Sequence, residues 1–225
     1  SAIINKNNEK QFSTLIENKS IAVVGPGHST DYKGTEIDSF DIVVRINTFS
    51  NHGEKYKKYI GSKTDIIYFN GGEFTKFENG KKVEFLNNVF LCSRKSFSKE
   101  FRKKNIRPTR KLNFNLFGGN GFIQDIIIDL LHFNTKEIKI FNVDFTLNNK
   151  MYNANYTKPN LVSQKEAYYR QSKVDFFSNI NFMRLLMQNN TIKVDNNLNI
   201  LLNYSNFELS KLFAKFYNIE SLKIN

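Results

Sequence analysis

One cysteine, three histidines and no apolar run of membrane-spanning length set the first limits on this 225-residue chain. A lone Cys92 cannot form an internal disulfide, and its place at the end of an apolar run reads as a buried core thiol rather than a thiolate catalyst. Nothing therefore demands an oxidising compartment. Every apolar stretch falls short of the ~20 residues a spanning helix needs, and the N-terminus lacks a signal-peptide core. These absences predict a soluble, cytoplasmic chain. There is no D-x-D and no His, Cys or carboxylate cluster at ligand spacing, so neither a metal nor another cofactor is expected. Zinc-finger spacing and aromatic ribonucleoprotein motifs are missing too, so nucleic acid is not expected as a partner. No internal repeat and no Pro/Gly/Ser linker divides the sequence. Residue 1 is not Met, which leaves room for a longer protein.

What is present fits a folded domain. Hydrophobic residues make up 40% and charged residues 24%, and the length suits one substantial domain over residues 1–225. Lys and Arg outnumber Asp and Glu by 33 to 21, a net charge of +12. That excess favours polyanions, an anionic membrane surface or a phosphorylated glycolipid; the competing reading is a surface merely solvated by Lys and Asn. One cluster, Arg94, Arg102, Lys103, Lys104, Arg107 and Arg110, could face an anionic acceptor.

Residues 7–18 carry Phe12, Leu15 and Ile16 among polar neighbours, an amphipathic helix. Strand-like runs follow at 21–24, 42–46, 65–69, 89–92 and 138–141, with polar or helical segments such as 55–60 and 97–104 between them. This alternation predicts an α/β fold, a Rossmann-like, mostly parallel sheet flanked by helices. Residues 121–133 place Ile123, Ile126, Ile127, Leu130 and Leu131 on one helical face and Gln124, Asp125, Asp129 and His132 on the other. Asn120 is positioned to cap that helix after F-G-G-N-G. A polar, aromatic segment without clean period reads as a lid at 146–171. Ser172-Lys173-Val174-Asp175 has capping-box spacing for a next helix. A last amphipathic helix, around 207–217, would pack on the domain or dock on a membrane.

The most informative stretch runs from Ser20 to Asn47. An apolar run breaks at Gly25 and Gly27, and a second one, about twenty residues on, ends at Arg45 and Asn47. Glycines there let the backbone approach a ligand, as at nucleotide sites of open α/β sheets. Pro26 removes one N–H, and the spacing is neither G-x-G-x-x-G nor a Walker loop. His28, Ser29 and Thr30 supply side-chain groups just past the turn. Asn70 and Gly71 follow the third strand, and Asp144 follows the strand at 138–141. Strand ends of this kind, with a glycine-opened helix at Asn120-Gly121, converge on one sheet edge.

The same stretch, with V-V-G, then K-G and E-I-D-S-x-D-x-V-x-R-x-N, resembles the large sialyl motif of sialyltransferases, glycosyltransferase family 29. Arg45-Ile46-Asn47, Tyr68-Phe69-Asn70, Asn120-Gly121 and Val143-Asp144-Phe145 are similar to segments of the bacterial sialyltransferases of family 42. The resemblance covers residues 20 to about 188. It implies a GT-A-variant fold and a glycosyltransferase moving sialic acid, or a related nonulosonic or ulosonic acid, from a CMP-activated donor, with inversion and without a metal. The acceptor is then a glycan or glycolipid in capsule or lipooligosaccharide biosynthesis of a bacterium, with peripheral association at the inner face of the membrane as one option. The resemblance also implies roles: Tyr152 and Tyr156 as phosphate donors, Asn47 and Asn70 on phosphate and sugar hydroxyls, Asp144 and Asn120-Gly121 at the cytidine-ribose end.

This chain departs from the family at three positions. Pro26 stands at the phosphate-facing Asn, Thr146 at the first lid tyrosine, and Gln171 at the base histidine. An amide cannot take the acceptor's proton, so the base is sought elsewhere. His28, with a reference pKa near ~6.5, suits the task; Glu166 and the donor's own phosphate are the alternatives. A same-fold transferase with another cytidine-activated donor, and a non-catalytic nucleotide- or glycan-binding domain, remain the competing readings.

Overall fold

Short β-branched runs, each too short to bury itself, cover both faces only by aligning side by side under helices. The computed structural model shows that arrangement; it describes residues 6–27, 31–47, 54–69, 89–93, 106–109, 121–145, 147 and 175–216. Within them, seven strands form one sheet: β1 (Ser20–Val24), β2 (Ile42–Ile46), β3 (Ile66–Phe69), β4 (Phe90–Ser93), β5 (Ile106–Pro108), β6 (Glu137–Phe141) and β7 (Lys193–Val194). Their order is β5-β4-β3-β2-β1-β6-β7, and every pairing is parallel. The helices are α1 (Lys6–Ile16), α2 (Gly34–Asp38), α3 (Glu54–Ile60), α4 (Phe122–Leu130), α5 (Phe176–Gln188), α6 (Asn196–Asn203) and α7 (Asn206–Phe216).

Strand alternation sorts the core into two clusters. Ile21, Val23, Ile42, Val44, Ile66, Tyr68, Ile138 and Ile140 point to one face, which α1, α4, α5, α6 and α7 cover with Phe12, Ile126, Ile180, Leu198 and Leu209. Ala22, Val24, Val43 and Phe141 point to the other, where Ile37 of α2 and Phe40 meet them. The α/β architecture read from the sequence is therefore the observed one. The last helix packs on the domain through Leu209 and Phe213.

Three local expectations are corrected. The polar side of α4 is not solvated: Gln124, Asp125 and Asp129 are all buried, because Arg107 and Tyr68 reach across to Asp129. Arg107 thus leaves the basic cluster and enters the interior on β5, a strand the sequence did not reveal. The helix expected from Ser172 begins at Phe176 instead, with the Asp175 carboxylate accepting from the Ser178 amide at 3.0 Å as its N-cap. The segments expected at 97–104 and, apart from Leu147, 146–171 lie outside the described residues.

Candidate functional site

The strand order reverses at β1. From it the sheet grows through β2 to β5 on one side and through β6 and β7 on the other. Chain leaving β1 runs to α2 on one face, and the next helix described after β6 is α5 on the opposite face. Such a switch point leaves a crevice at the carboxyl ends of the two strands. Gly25-Pro26-Gly27 leaves β1 there, and Asn142-Val143-Asp144 leaves β6 beside it.

The two glycines are required by that neighbour. The Gly25 amide donates to the Phe141 carbonyl and the Gly27 amide to the Asn142 carbonyl, both at 2.8 Å. A Cβ on Gly25 would stand 2.6 Å from the Asn142 carbonyl oxygen; one on Gly27 would stand 2.5 Å from that oxygen and 3.2 Å from the Asp144 carboxyl carbon. No alanine fits either position without moving the turn or the end of β6. With both amides engaged and Pro26 carrying none, the turn's contribution is shape, and any donors for a ligand must come from residues after it.

A buried charge pair fixes the same rim. Lys33 Nζ lies 2.9 Å from Asp195 Oδ2 and 3.1 Å from Asp31 Oδ2. Asp195 caps α6 by accepting the Leu198 amide at 2.9 Å, and its other oxygen accepts the Asn142 amide at 2.8 Å. Asn142, with φ of 53°, is thus held by its N–H to Asp195 and by its carbonyl to Gly27. Neither Lys33 nor Asp195 was singled out from the sequence, because a separation of 162 positions along the chain hides the pairing.

The other predicted residues separate. By register Val24 faces Arg45, which puts Asn47, one residue past β2, at the edge next to the glycine turn. Asn47 adopts a left-handed backbone, φ 51°, which asparagine tolerates, and its amide donates to the Tyr68 carbonyl at 2.8 Å. Arg45 itself is only 2% exposed. Its Nη1 donates to the Ile60 carbonyl at 2.7 Å, and its Nε and Nη2 to the Lys63 carbonyl at 3.2 and 2.9 Å. This guanidinium ties the connection between α3 and β3. Gly121, not Asn120, occupies the cap position of α4, and its amide donates to Asn179 Oδ1 at 3.0 Å. Asp144 sits half-buried against Gly27. His132 lies at the far end of α4, close to Asn134, whose carbonyl bonds the Asn18 amide at the start of β1. That is the amino edge of the sheet, opposite the glycine turn; its Nδ1 is 2.7 Å from the Ile128 carbonyl. His28, Ser29, Asn70, Gly71, Asn120, Tyr152, Tyr156, Glu166 and Gln171 lie outside the described residues.

Buried polar groups flank this edge. Among the described residues, the side-chain amides of Asn142, just past β6, and Gln124, in the first turn of α4, have no hydrogen-bond partner. Leaving such a group unmet costs about 1–3 kcal/mol. Cys92 is buried in β4, and that burial pushes its thiol pKa up, away from thiolate chemistry.

Comparison with known proteins adds a family resemblance to this geometry. The model of glycosyltransferase family 29, the sialyltransferases, matches residues 5–112, from the approach to α1 through β5. No curated protein sequence matches. A crystal structure of a mammalian sialyltransferase superposes with a TM-score of 0.56 at 16% identity, covering 87% of this chain and 80% of that one. A mammalian sialyltransferase in complex with Gal-beta-1-3GalNAc-ortho-nitrophenol gives 0.54 at 15% identity, covering 87% and 81%. Identity this low speaks for the fold alone, while the family match falls on the segment that builds the glycine turn. The chain is thus similar to the sialyltransferases of glycosyltransferase family 29 over residues 5–112, and it has the α/β, Rossmann-like fold of the sialyltransferase structures.

Proposed function

We propose that this chain transfers a sugar acid, sialic acid or a related nonulosonic or ulosonic acid, from a CMP-activated donor to a bacterial surface glycan. The observation that carries the reading is the crevice between β1 and β6, with the Gly25–Gly27 turn pressed onto Asn142 and Asp144. The unmet amides of Asn142 and Gln124 support it, since each offers one donor and one acceptor to a polar ligand edge.

In the reaction an acceptor hydroxyl oxygen bonds to the anomeric carbon as that carbon's bond to the phosphate oxygen breaks. The electron pair leaves with cytidine monophosphate, and the hydroxyl proton goes to the base, on the face opposite the leaving group, which inverts the centre. Tyr152 and Tyr156 would donate to the leaving phosphate as its charge grows, and Asn47 and Asn70 would orient phosphate and sugar hydroxyls. Asp144 and the Asn120-Gly121 turn would hold the ribose. Hydroxyl and amide donors of this kind meet the charge without a metal ion. His28 is the favoured base, with Glu166 or the donor phosphate behind it. A net charge of +12 draws an anionic donor and an anionic acceptor membrane toward the protein. The reading places the protein in the cytoplasm, peripheral to the membrane's inner face.

The test is a thermal-shift panel of cytidine, uridine, guanosine and adenosine monophosphates. A ligand at a hundred times its Kd adds about 2.7 kcal/mol, which for a chain of this size raises Tm by several degrees. A selective rise with cytidine monophosphate is expected; no rise, or an equal one with all four, overturns the reading. His28→Ala is expected to keep that rise and lose roughly 10²- to 10⁴-fold in turnover. Unchanged turnover would remove His28 from the mechanism. Gln171, at the family's base position, favours a second reading, a nucleotide- or glycan-binding domain without catalysis. Donor hydrolysis by the unaltered chain separates the two.

A further inference from the structure

Five residues past Gly27, Tyr32 keeps 75% of its surface in solvent, more than any other large hydrophobic side chain among the described residues. Its ring is nonetheless fixed. It stacks on Tyr59 of α3, with centroids 5.4 Å apart and planes 12° from parallel. Lys58 Nζ stands 5.1 Å from the Tyr32 centroid and 4.9 Å from that of Tyr59. The backbone beneath is anchored as well: Lys33 is buried on Asp195, and the Asp31 carboxylate accepts from Asn197 Nδ2 at 3.0 Å. The acid nearest in sequence is thereby engaged with Lys33 and Asn197, and Lys58 is the cation over the two rings. A hydrogen bond to Tyr59 and the nearby Tyr32 oxygen raise the Lys58 pKa above its ordinary value.

We propose that Tyr32, Tyr59 and Lys58 form a binding platform for an acidic sugar of the glycan acceptor. One face of the Tyr32 ring is covered by Tyr59, and three-quarters of the residue's surface stays in solvent. A pyranose has an apolar C–H face and a polar rim, which complements an aromatic face with a cation beside it. Tyrosine supplies that flat, amphipathic area at low entropic cost, and the ammonium gives a carboxylate a charge-assisted hydrogen bond. The platform precedes α2 on the connection that leaves the β1 glycine turn, so a sugar held there sits on the chain segment that shapes the donor crevice. The inference rests on the transferase reading for the word acceptor, while the binding event stands on its own.

The chain contains no tryptophan, so Tyr32→Trp makes a single fluorescent reporter at the platform and keeps an aromatic face. Titration with sialyllactose is expected to change its emission saturably, with lactose roughly tenfold weaker, as a charge-assisted bond of about 1.5 kcal/mol requires. Lys58→Gln should abolish that difference. In the unaltered chain the ring protons of Tyr32 and Tyr59 should shift with the same midpoint, which guards against a variant that perturbs the fold. No saturable response to sialyllactose, an equal response to lactose, or saturation only by an oligonucleotide would overturn the platform. Loss of the cytidine monophosphate thermal shift would strike the donor reading and leave this titration untouched, so the two failures are distinguishable.

Discussion

Two buried ion pairs join distant parts of this chain, Arg107 with Asp129 and Lys33 with Asp195, and they are built for different tasks. Around Arg107 all the partners are side chains. Its Nη1 and Nη2 donate to the two Asp129 oxygens at 2.6 and 3.0 Å, and its Nε donates to Glu9 at 2.8 Å. The Tyr68 hydroxyl adds a bond to Asp129 at 2.7 Å, and the Phe12 ring lies 4.0 Å from the guanidinium carbon. Burial alone would lower the Arg107 pKa, but the bonded Asp129 carboxylate more than offsets it and the net direction is upward. This planar fork among aromatics fastens α1, α4, β3 and β5 and touches nothing at the carboxyl edge of β1. Around Lys33 the carboxylate of Asp195 bonds main-chain amides instead, at Asn142 and Leu198. The first pair sets which elements meet; the second sets where the backbone of the site's rim stands.

The largest effect should follow Arg107→Met. It leaves the Asp129 carboxylate buried without its bidentate partner, a loss of about 3–5 kcal/mol, read as a lower midpoint in urea. Arg107→Lys offers one donor direction where the site needs a fork, and it should recover less than half of that loss. Nucleotide affinity of the folded fraction should not change. A lysine variant as stable as the unaltered chain would break the distinction between fork and point charge.

Lys33→Met should cost less, about 1–3 kcal/mol, because Asp195 keeps its two amide bonds. Its signature is different. With the ammonium gone, the Asp195 carboxylate is held by amides alone, the Asn142 backbone and the Gly27 turn resting on it are held less firmly, and Kd for cytidine monophosphate should rise roughly tenfold, or about 1.4 kcal/mol. Lys33→Arg should restore part of the affinity. If stability falls and affinity does not, the second pair is only another fastening and the comparison fails.

Why some of this was legible from sequence and some not follows from the range of each signal. Ile21–Val24 and Ile42–Ile46 announce strands because β-branched runs are local, and the glycine break at Gly25 lies next to the run it ends. β5 was hidden, since three residues inside a basic cluster carry no periodicity, and Arg107 looked like surface charge until Asp129 stood beside it. The acidic side of α4 misled for the same reason: an amphipathic pattern shows which face is polar, never whether a distant cation will bury it. The edge of the crevice was legible where the chain turns at strand ends, at Gly25, Gly27, Asn47 and Asp144. It was illegible where long-range pairing decides, as with Arg45 at the Ile60 and Lys63 carbonyls and with Lys33 at Asp195.

The smallest effect sharpens the comparison by taking the chemistry of Asp195 into solvent. Asp38, at the end of α2, accepts the amides of Ser62 and Lys63 at 2.8 to 2.9 Å, together with the Ser62 hydroxyl at 2.9 Å. Burial works against its charge, yet the Lys63 and Ser62 amides, the Ser62 hydroxyl and the Arg45 charge hold its pKa below the ordinary aspartate value. A carboxylate whose folded pKa is depressed stabilises the fold fully above its unfolded value of about 3.9. That contribution fades as pH falls through the lower folded value. Asp38→Asn should therefore be less stable than the unaltered chain at pH 7, by under about 1 kcal/mol because solvent screens the site, and the gap should close in acid. Since Asp38 and Asp195 both hold main-chain amides, the difference in their effects measures what burial adds to one kind of bond. A gap that persists unchanged to pH 2 would mean that shape, not charge, holds the connection before β3, and that ranking these sites by burial is mistaken.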